Sequence, residues 1–247
     1  MPPHQHSQER PLLVGVVGAT GRLGSSIVGE CTRLGIPVTW TATSNAWGAT
    51  PAPRDEPARP PTVVIDASRG AVLPRTAAYC GETGAALVAC ASDLGPGELA
   101  AAKELSARVP VIRAVNLSVA HWLQSQLVST AARIARRLPE LPAAAVLERH
   151  TAAKRDRPSA TAQALAGTWD EVLGNGTTKE IASFRAGLPV SEHAFELTFS
   201  HETLTLRHDV RDLRAAVFGA LTAASWAHDA APGYHSLTDL FDRLFLR

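Results

Sequence analysis

In the run ERHTAAKRDRPSATA, from Glu148 to Ala162, His150 and Lys154 stand four residues apart and are followed by Ser159 and Thr161. A histidine supplies or relays a proton near neutral pH, and a lysine holds a carboxylate or donates to a nitrogen during reduction. His150 and Lys154 are therefore candidates for a catalytic pair, although a histidine here also reads as an ordinary hydrogen-bonding residue and the lysine as a solvated loop charge. A helix beginning at Ser159 would offer the N–H groups of Ala160, Thr161 and Ala162, with the hydroxyls of Ser159 and Thr161, to an incoming anion. A carboxylate fits such a place, and Ser159 equally suits a plain N-cap after proline. Arg149, Arg155 and Arg157 read as surface or interface charges. His193 and His208 fall in strand-like segments and are expected to make structural hydrogen bonds; His4 and His6 belong to the N-terminal tail. No His, Cys, Asp or Glu cluster has metal-ligand spacing, and no G-x-S-x-G motif signals a hydrolase, so neither a metal nor a serine nucleophile is expected.

A second chemical signal lies near the N-terminus. GATGRLG spaces Gly18, Gly21 and Gly24 as G-x-x-G-x-x-G, directly after an apolar run and opening an amphipathic one. Without side chains the backbone turns tightly and approaches a pyrophosphate, which the helix N-terminus stabilises. Thr20, Arg22 and Leu23 complete this expected cofactor loop; the competing reading is a tight turn with no ligand. About twenty residues further on, where an acidic residue would accept the ribose hydroxyls of NAD, stand Thr43, Ser44 and Asn45. A 2'-phosphate is tolerable there and Arg22 is placed to meet it, which favours NADPH while leaving NADH open.

The elements that must position these residues follow from pattern. Strand-like runs alternate with helical ones from PLLVGVVG through TVVIDAS and AALVACAS to VIRAVN, which implies a parallel, doubly wound sheet. The proline-rich NAWGATPAPRDEPARPP reads as a loop without regular structure. After the helix SVAHWLQSQLVSTAARIARRL, the short strand PAAAVLE leads into the polar junction and a second helix. KEIASFRAGLP, HAFELTF and ETLTLRHDV then read as strands of a sheet buried on one face. A last helix, RDLRAAVFGALTAASWAHD, precedes a short tail. The expected fold is α/β, a Rossmann-type doubly wound parallel sheet with an inserted α+β mixed-sheet domain. The expected boundaries are a flexible tail over 1–10, a dinucleotide-binding domain over 11–117 and 215–247, and a substrate-binding and oligomerisation domain over 118–214.

Composition points to a small partner. At 247 residues and 45% hydrophobic content the chain has material for a real core, and a formal charge of +1 argues against a nucleic-acid or polybasic membrane surface. Cys31, Cys80 and Cys90 show no paired spacing, and no run is long enough to span a bilayer, so a cytoplasmic protein is expected.

Read in order, the glycine loop, RAVNLSVA, ERHTAAKRDRPSATA, FRAGLPVSEHAFELTF and LTLRHD resemble the 4-hydroxy-tetrahydrodipicolinate reductase family over nearly the whole chain. The family motif E-x-H-H-x-x-K-x-D-x-P-S-G-T-A is matched by Glu148, His150, Lys154, Asp156, Pro158, Ser159, Thr161 and Ala162. The resemblance implies pyridine-nucleotide reduction of a cyclic imine or its hydrated precursor, a carboxylate substrate, and a homotetramer built through the mixed sheet. It also places Ser44, Asn45, Ser68, Ala91 and Asn116 against the cofactor, and Thr151, Ser159, Ala160 and Thr161 against the substrate. Thr151 stands for the second histidine of the motif, Ala160 for its glycine, VACAS (Val88 to Ser92) for G-T-T-G, and Ala67–Ser68 for F-T. These departures leave two alternatives open: a paralog of specialised metabolism acting on another cyclic substrate by a redox-neutral dehydration or cyclisation, or a nucleotide-binding sensor without catalysis.

Overall fold

The structure is a computed structural model that describes residues 11–49, 59–187 and 191–246. The expected tail over 1–10 and the proline-rich stretch over 50–58 lie outside the described residues. The chain divides into two compact units, residues 1–117 with 216–247, and residues 118–215.

The first unit is built on a seven-stranded sheet. Its elements are β1 (Val14–Val17), α1 (Arg22–Leu34), β2 (Val38–Ala42), β3 (Trp47–Ala49), β4 (Val63–Asp66), α2 (Leu73–Thr83), β5 (Ala86–Ala89), α3 (Pro96–Leu105) and β6 (Pro110–Arg113); most of α6 (Arg214–Asp229), β11 (Gly233–Ser236) and α7 (Leu237–Phe245) complete it. The strand order is β11-β6-β5-β4-β1-β2-β3, parallel throughout except for the antiparallel β3 at the edge. β1, β4 and β5 are buried at every position, as strands covered by helices on both faces must be. Strand order reverses between β4 and β1, and ligands of such sheets bind at the carboxyl ends of the strands beside that switch. Two expectations are corrected here. Trp47–Ala49, read as part of an irregular loop, forms the edge strand β3, held by pairing with β2. The expected C-terminal tail instead adds β11 to the sheet beside β6 and ends in α7, whose Leu237, Leu240 and Phe241 are buried.

The second unit carries α4 (Val119–Ala135), β7 (Ala143–His150), α5 (Ala160–Leu173), β8 (Thr178–Arg185), β9 (Ser191–Thr198) and β10 (Thr203–Val210). Its strands form a mixed sheet in the order β10-β9-β7-β8, with β7 and β8 parallel and the other pairs antiparallel. One face packs on the two helices through Val128 and Ala132 of α4, Leu165 and Trp169 of α5, and Val146 and Phe195 of the sheet. Each large side chain fully buried there contributes about 1.5–3 kcal/mol. β7 alternates strictly along its second half, so Ala144, Val146, Glu148 and His150 all point to this covered face. The stripe that starts as core ends as an acid and a base.

Candidate active site

In the first unit the loop between β1 and α1 is shaped by its glycines. Gly18 has φ +77°, and a Cβ there would meet the Ala67 carbonyl oxygen at 3.0 Å; a Cβ at Gly24 would lie 2.1 Å from the Gly18 carbonyl oxygen. The helix thus enters flush against the turn. α1 begins with no side-chain cap and no acidic residue in its first turn, whereas α4, α5 and α7 are capped by Ser118, Ser159 and Ser236. The first-turn N–H groups of an uncapped helix have no partner within the helix, so they suit a pyrophosphate. The residues present fit a bound dinucleotide.

The other expected cofactor residues follow the carboxyl ends of strands in this unit: Ser44 and Asn45 after β2, Ser68 after β4, Ala91 after β5 and Asn116 after β6. Parallel strands bring those ends to one edge. Ser68 is already engaged there, because its hydroxyl and backbone N–H both donate to the Asp66 carboxylate, whose other oxygen accepts from Thr76 Oγ1 at 2.7 Å. Burial raises the Asp66 pKa above its ordinary value, with these hydrogen bonds opposing. Thr43 Oγ1 accepts the N–H groups of Asn45 and Ala46, closing a turn that holds Ser44 and Asn45 at the surface.

The second site is a product of strand register. Glu148 of β7 lies opposite Ser183 of β8 on one side and His193 of β9 on the other, and His193 lies opposite His208 of β10. One row across the sheet therefore reads Ser183, Glu148, His193, His208. The Glu148 side chain is fully buried and its oxygens divide their work. Oε1 accepts from Ser183 Oγ at 2.6 Å, Arg185 Nη2 at 2.7 Å and the Ser159 N–H at 3.0 Å. Oε2 faces His150 Nδ1 at 3.4 Å and His193 Nε2 at 3.9 Å, and is reached by the same Ser159 N–H at 3.2 Å. Burial alone would raise the Glu148 pKa; the hydrogen bonds from Ser159, Ser183 and Arg185 outweigh it and hold the carboxyl down at about 2. His150 is pushed below the ordinary 6.5, chiefly by burial, with Glu148 opposing and the charges of Lys154 and Arg185 adding to the shift. Burial and then the neighbouring His150 lower His193 to about 3.

The expected residues come together unevenly. His150 ends β7 rather than starting a loop, is 8% exposed, and sits beside the Glu148 carboxylate. Thr151 and Lys154 follow in the turn, where the Lys154 N–H donates to the Thr151 carbonyl and Lys154 Nζ pairs with Asp156 at 2.9 Å. Ser159 caps α5, its hydroxyl accepting from the Ala162 N–H at 3.2 Å and lying 3.3 Å from His193 Nε2. This corrects one expectation: the Ala162 N–H is engaged by the cap and is not offered to an anion, which leaves Ala160 and Thr161 as the outward residues of the first turn. Arg149 is a surface charge as expected, beside Glu192 on the opposite face of the sheet. Arg185 was not singled out by sequence, yet it neutralises Glu148 and also donates to the Lys154 and Asp156 carbonyls, tying the 151–158 turn to the sheet. His193 and Ser183 were likewise missed as site residues. The ligand-type atoms of Glu148, His150 and His193 lie within 4.8 Å of one another, a cluster that linear spacing does not reveal because it spans two strands.

Residues 123–241 match the family model described as dihydrodipicolinate reductase, C-terminus. Over 91% of this chain and 87% of the relative, the sequence is 33% identical to the 4-hydroxy-tetrahydrodipicolinate reductase of Myxococcus xanthus (strain DK1622). The chain belongs to the dihydrodipicolinate reductase family. A second relative, the 4-hydroxy-tetrahydrodipicolinate reductase of Gluconobacter oxydans (strain 621H), is 31% identical over 93% of this chain and 97% of its own length. The fold is that of the dipicolinate-bound dihydrodipicolinate reductase from Paenisporosarcina sp. TG-14, with a TM-score of 0.72 at 17% identity, covering 94% of this chain and all of that one. Members of the dihydrodipicolinate reductase family are NAD(P)H-dependent oxidoreductases. Among the described residues, no helix is long and apolar enough to cross a membrane.

Proposed function

We propose that this dihydrodipicolinate reductase family member reduces 4-hydroxy-tetrahydrodipicolinate or a closely related cyclic carboxylate, with His150 as the proton donor. The observation that carries the reading is the buried Glu148 carboxylate facing His150 Nδ1 at 3.4 Å, beside the start of α5. The carboxylate stabilises the imidazolium and leaves Nε2 as the atom that hands a proton outward. Ala160 and Thr161, in the first turn of α5, with Lys154, dock a substrate carboxylate; the Ala160 methyl narrows that dock relative to a glycine. When bound, the nicotinamide cofactor supplies the hydride, and Gly18, Gly21 and Gly24 seat its pyrophosphate. Arg22 is exposed at the first position of α1, and the turn over Thr43, Ser44 and Asn45 carries no carboxylate, which together support NADPH over NADH.

The test is to measure binding of NADPH and NADH, then cofactor oxidation with 4-hydroxy-tetrahydrodipicolinate. Tighter NADPH binding and substrate-dependent oxidation are expected. A product formed without cofactor oxidation would instead mean a redox-neutral reaction. We further propose a cytoplasmic homotetramer assembled through the outer face of the mixed sheet, where Phe184 is 50% exposed beside Arg149. Light scattering on the purified protein reads its mass directly.

A further inference from the structure

We propose that Glu148, His150 and His193 bind a single divalent ion of the zinc class, and that occupancy of this site shuts off proton transfer by His150. Two imidazoles and one carboxylate are a ligand set of zinc sites that keep an open position for water or substrate. Zinc–nitrogen and zinc–oxygen bonds of roughly 2.0–2.2 Å put neighbouring ligand atoms of a tetrahedron about 3.4 Å apart. Glu148 Oε2 lies 3.4 Å from His150 Nδ1 and 3.9 Å from His193 Nε2, so the edges that meet at the carboxylate are nearly those of a coordination shell.

Three further features point the same way. Among the described residues His150 Nδ1 is buried and has no hydrogen-bond partner, an unsatisfied lone pair or N–H in a side chain that is 10% exposed. Glu148 uses Oε1 for Arg185, Ser183 and the Ser159 N–H, and turns Oε2, which shares that N–H at 3.2 Å, to the imidazoles, so it ligates without giving up Arg185 or Ser183. The His150 and His193 rings stand edge to face with centroids 5.0 Å apart, so both imidazoles border the same carboxylate oxygen. The nearby Arg185 charge opposes any cation. It therefore selects an ion that forms strong imidazole bonds, such as Zn²⁺, over Mg²⁺ or Ca²⁺, which need six or more oxygen ligands.

The experiment titrates the full-length protein with ZnCl₂ by calorimetry and with Co²⁺ by visible absorption. Expected are one ion per chain and the d–d bands of a four- or five-coordinate cobalt site, both weakened at least about tenfold in His193→Gln. A His4→Gln/His6→Gln double variant keeps them. Absence of binding, or binding lost with the tail histidines instead, overturns the proposal. X-ray absorption of the zinc-loaded wild type guards against a variant that fails to fold: two imidazole nitrogens and a carboxylate oxygen support the site, and a sulfur shell refutes it. Binding can be read without turnover, so it stands or falls separately from the reductase reading. The inhibitory half rests on that reading: Zn²⁺ is expected to inhibit reversibly, with EDTA restoring the rate, and full occupancy with unchanged turnover would overturn it.

Discussion

Glu148 holds three roles at once, and its neighbours show which can be perturbed separately. With His150 as the proton donor, kcat/KM declines as pH rises through a value below 6.5, since burial lowers the imidazole pKa. Glu148 opposes that shift, so Glu148→Gln is expected to move the inflection further down, while His150→Gln lowers kcat by about 10²–10⁴ without changing cofactor affinity. A pH–rate profile unchanged in Glu148→Gln would sink this assignment. Arg185→Ala removes the guanidinium 2.7 Å from a fully buried carboxylate, and is expected to cost about 3–5 kcal/mol in urea unfolding because the charge is left unpaired. His150, Lys154, Ser159 and Thr161 could be named as candidates from the sequence because one short motif carries them. Ser183, Arg185 and His193 were not, since only pairing of β7 with β8 and β9 brings them to Glu148.

The elements were easier to read than their ends. Apolar runs and capping glycines located most strands and helices, yet β3 was hidden in a proline-rich stretch and β11 in a supposed tail, because both are defined by their partners β2 and β6. Helix α1 offers a paired test of what its glycines do. Gly24→Ala would press a methyl to 2.1 Å from the Gly18 carbonyl oxygen, so the loop must move and dinucleotide affinity is expected to fall. Gly29, exposed on the same helix with nothing within 4 Å of a Cβ, is expected to gain about 0.5–1 kcal/mol as alanine with affinity intact. Thermal melts with and without NADPH distinguish the two; equal ligand affinities would show that the close approach at Gly24 is dispensable.

For the molecule as a whole, buried neutral histidines set the acid limit of stability. In the second unit, burial lowers His121 to about 4 and His193 to about 3, while Glu148 sits at about 2 against an ordinary 4.5. The unfolded chain binds more protons than the folded one below pH 6.5, so the histidine contribution is complete above 6.5 and drains away as pH falls toward 4 and 3. The carboxylate contribution follows between 4.5 and 2. Melting temperature is expected to fall between pH 7.5 and 4.5, and less steeply in His121→Gln; a flat profile would mean these imidazoles are not neutral inside the fold. The bare start of α1 bears on the same balance from the other side. If the proposed pyrophosphate seat is at these first amides, the helix is poorer without its ligand than it need be, and part of the affinity for dinucleotide is expected to be relief of that unmet demand. Gly21→Asp, at an ordinary φ of −74° and with the Gly18 carbonyl oxygen yielding slightly from 3.1 Å, would satisfy that demand internally. Such a protein should melt higher when empty and respond less to NADPH: a sturdier fold that has become its own competitor.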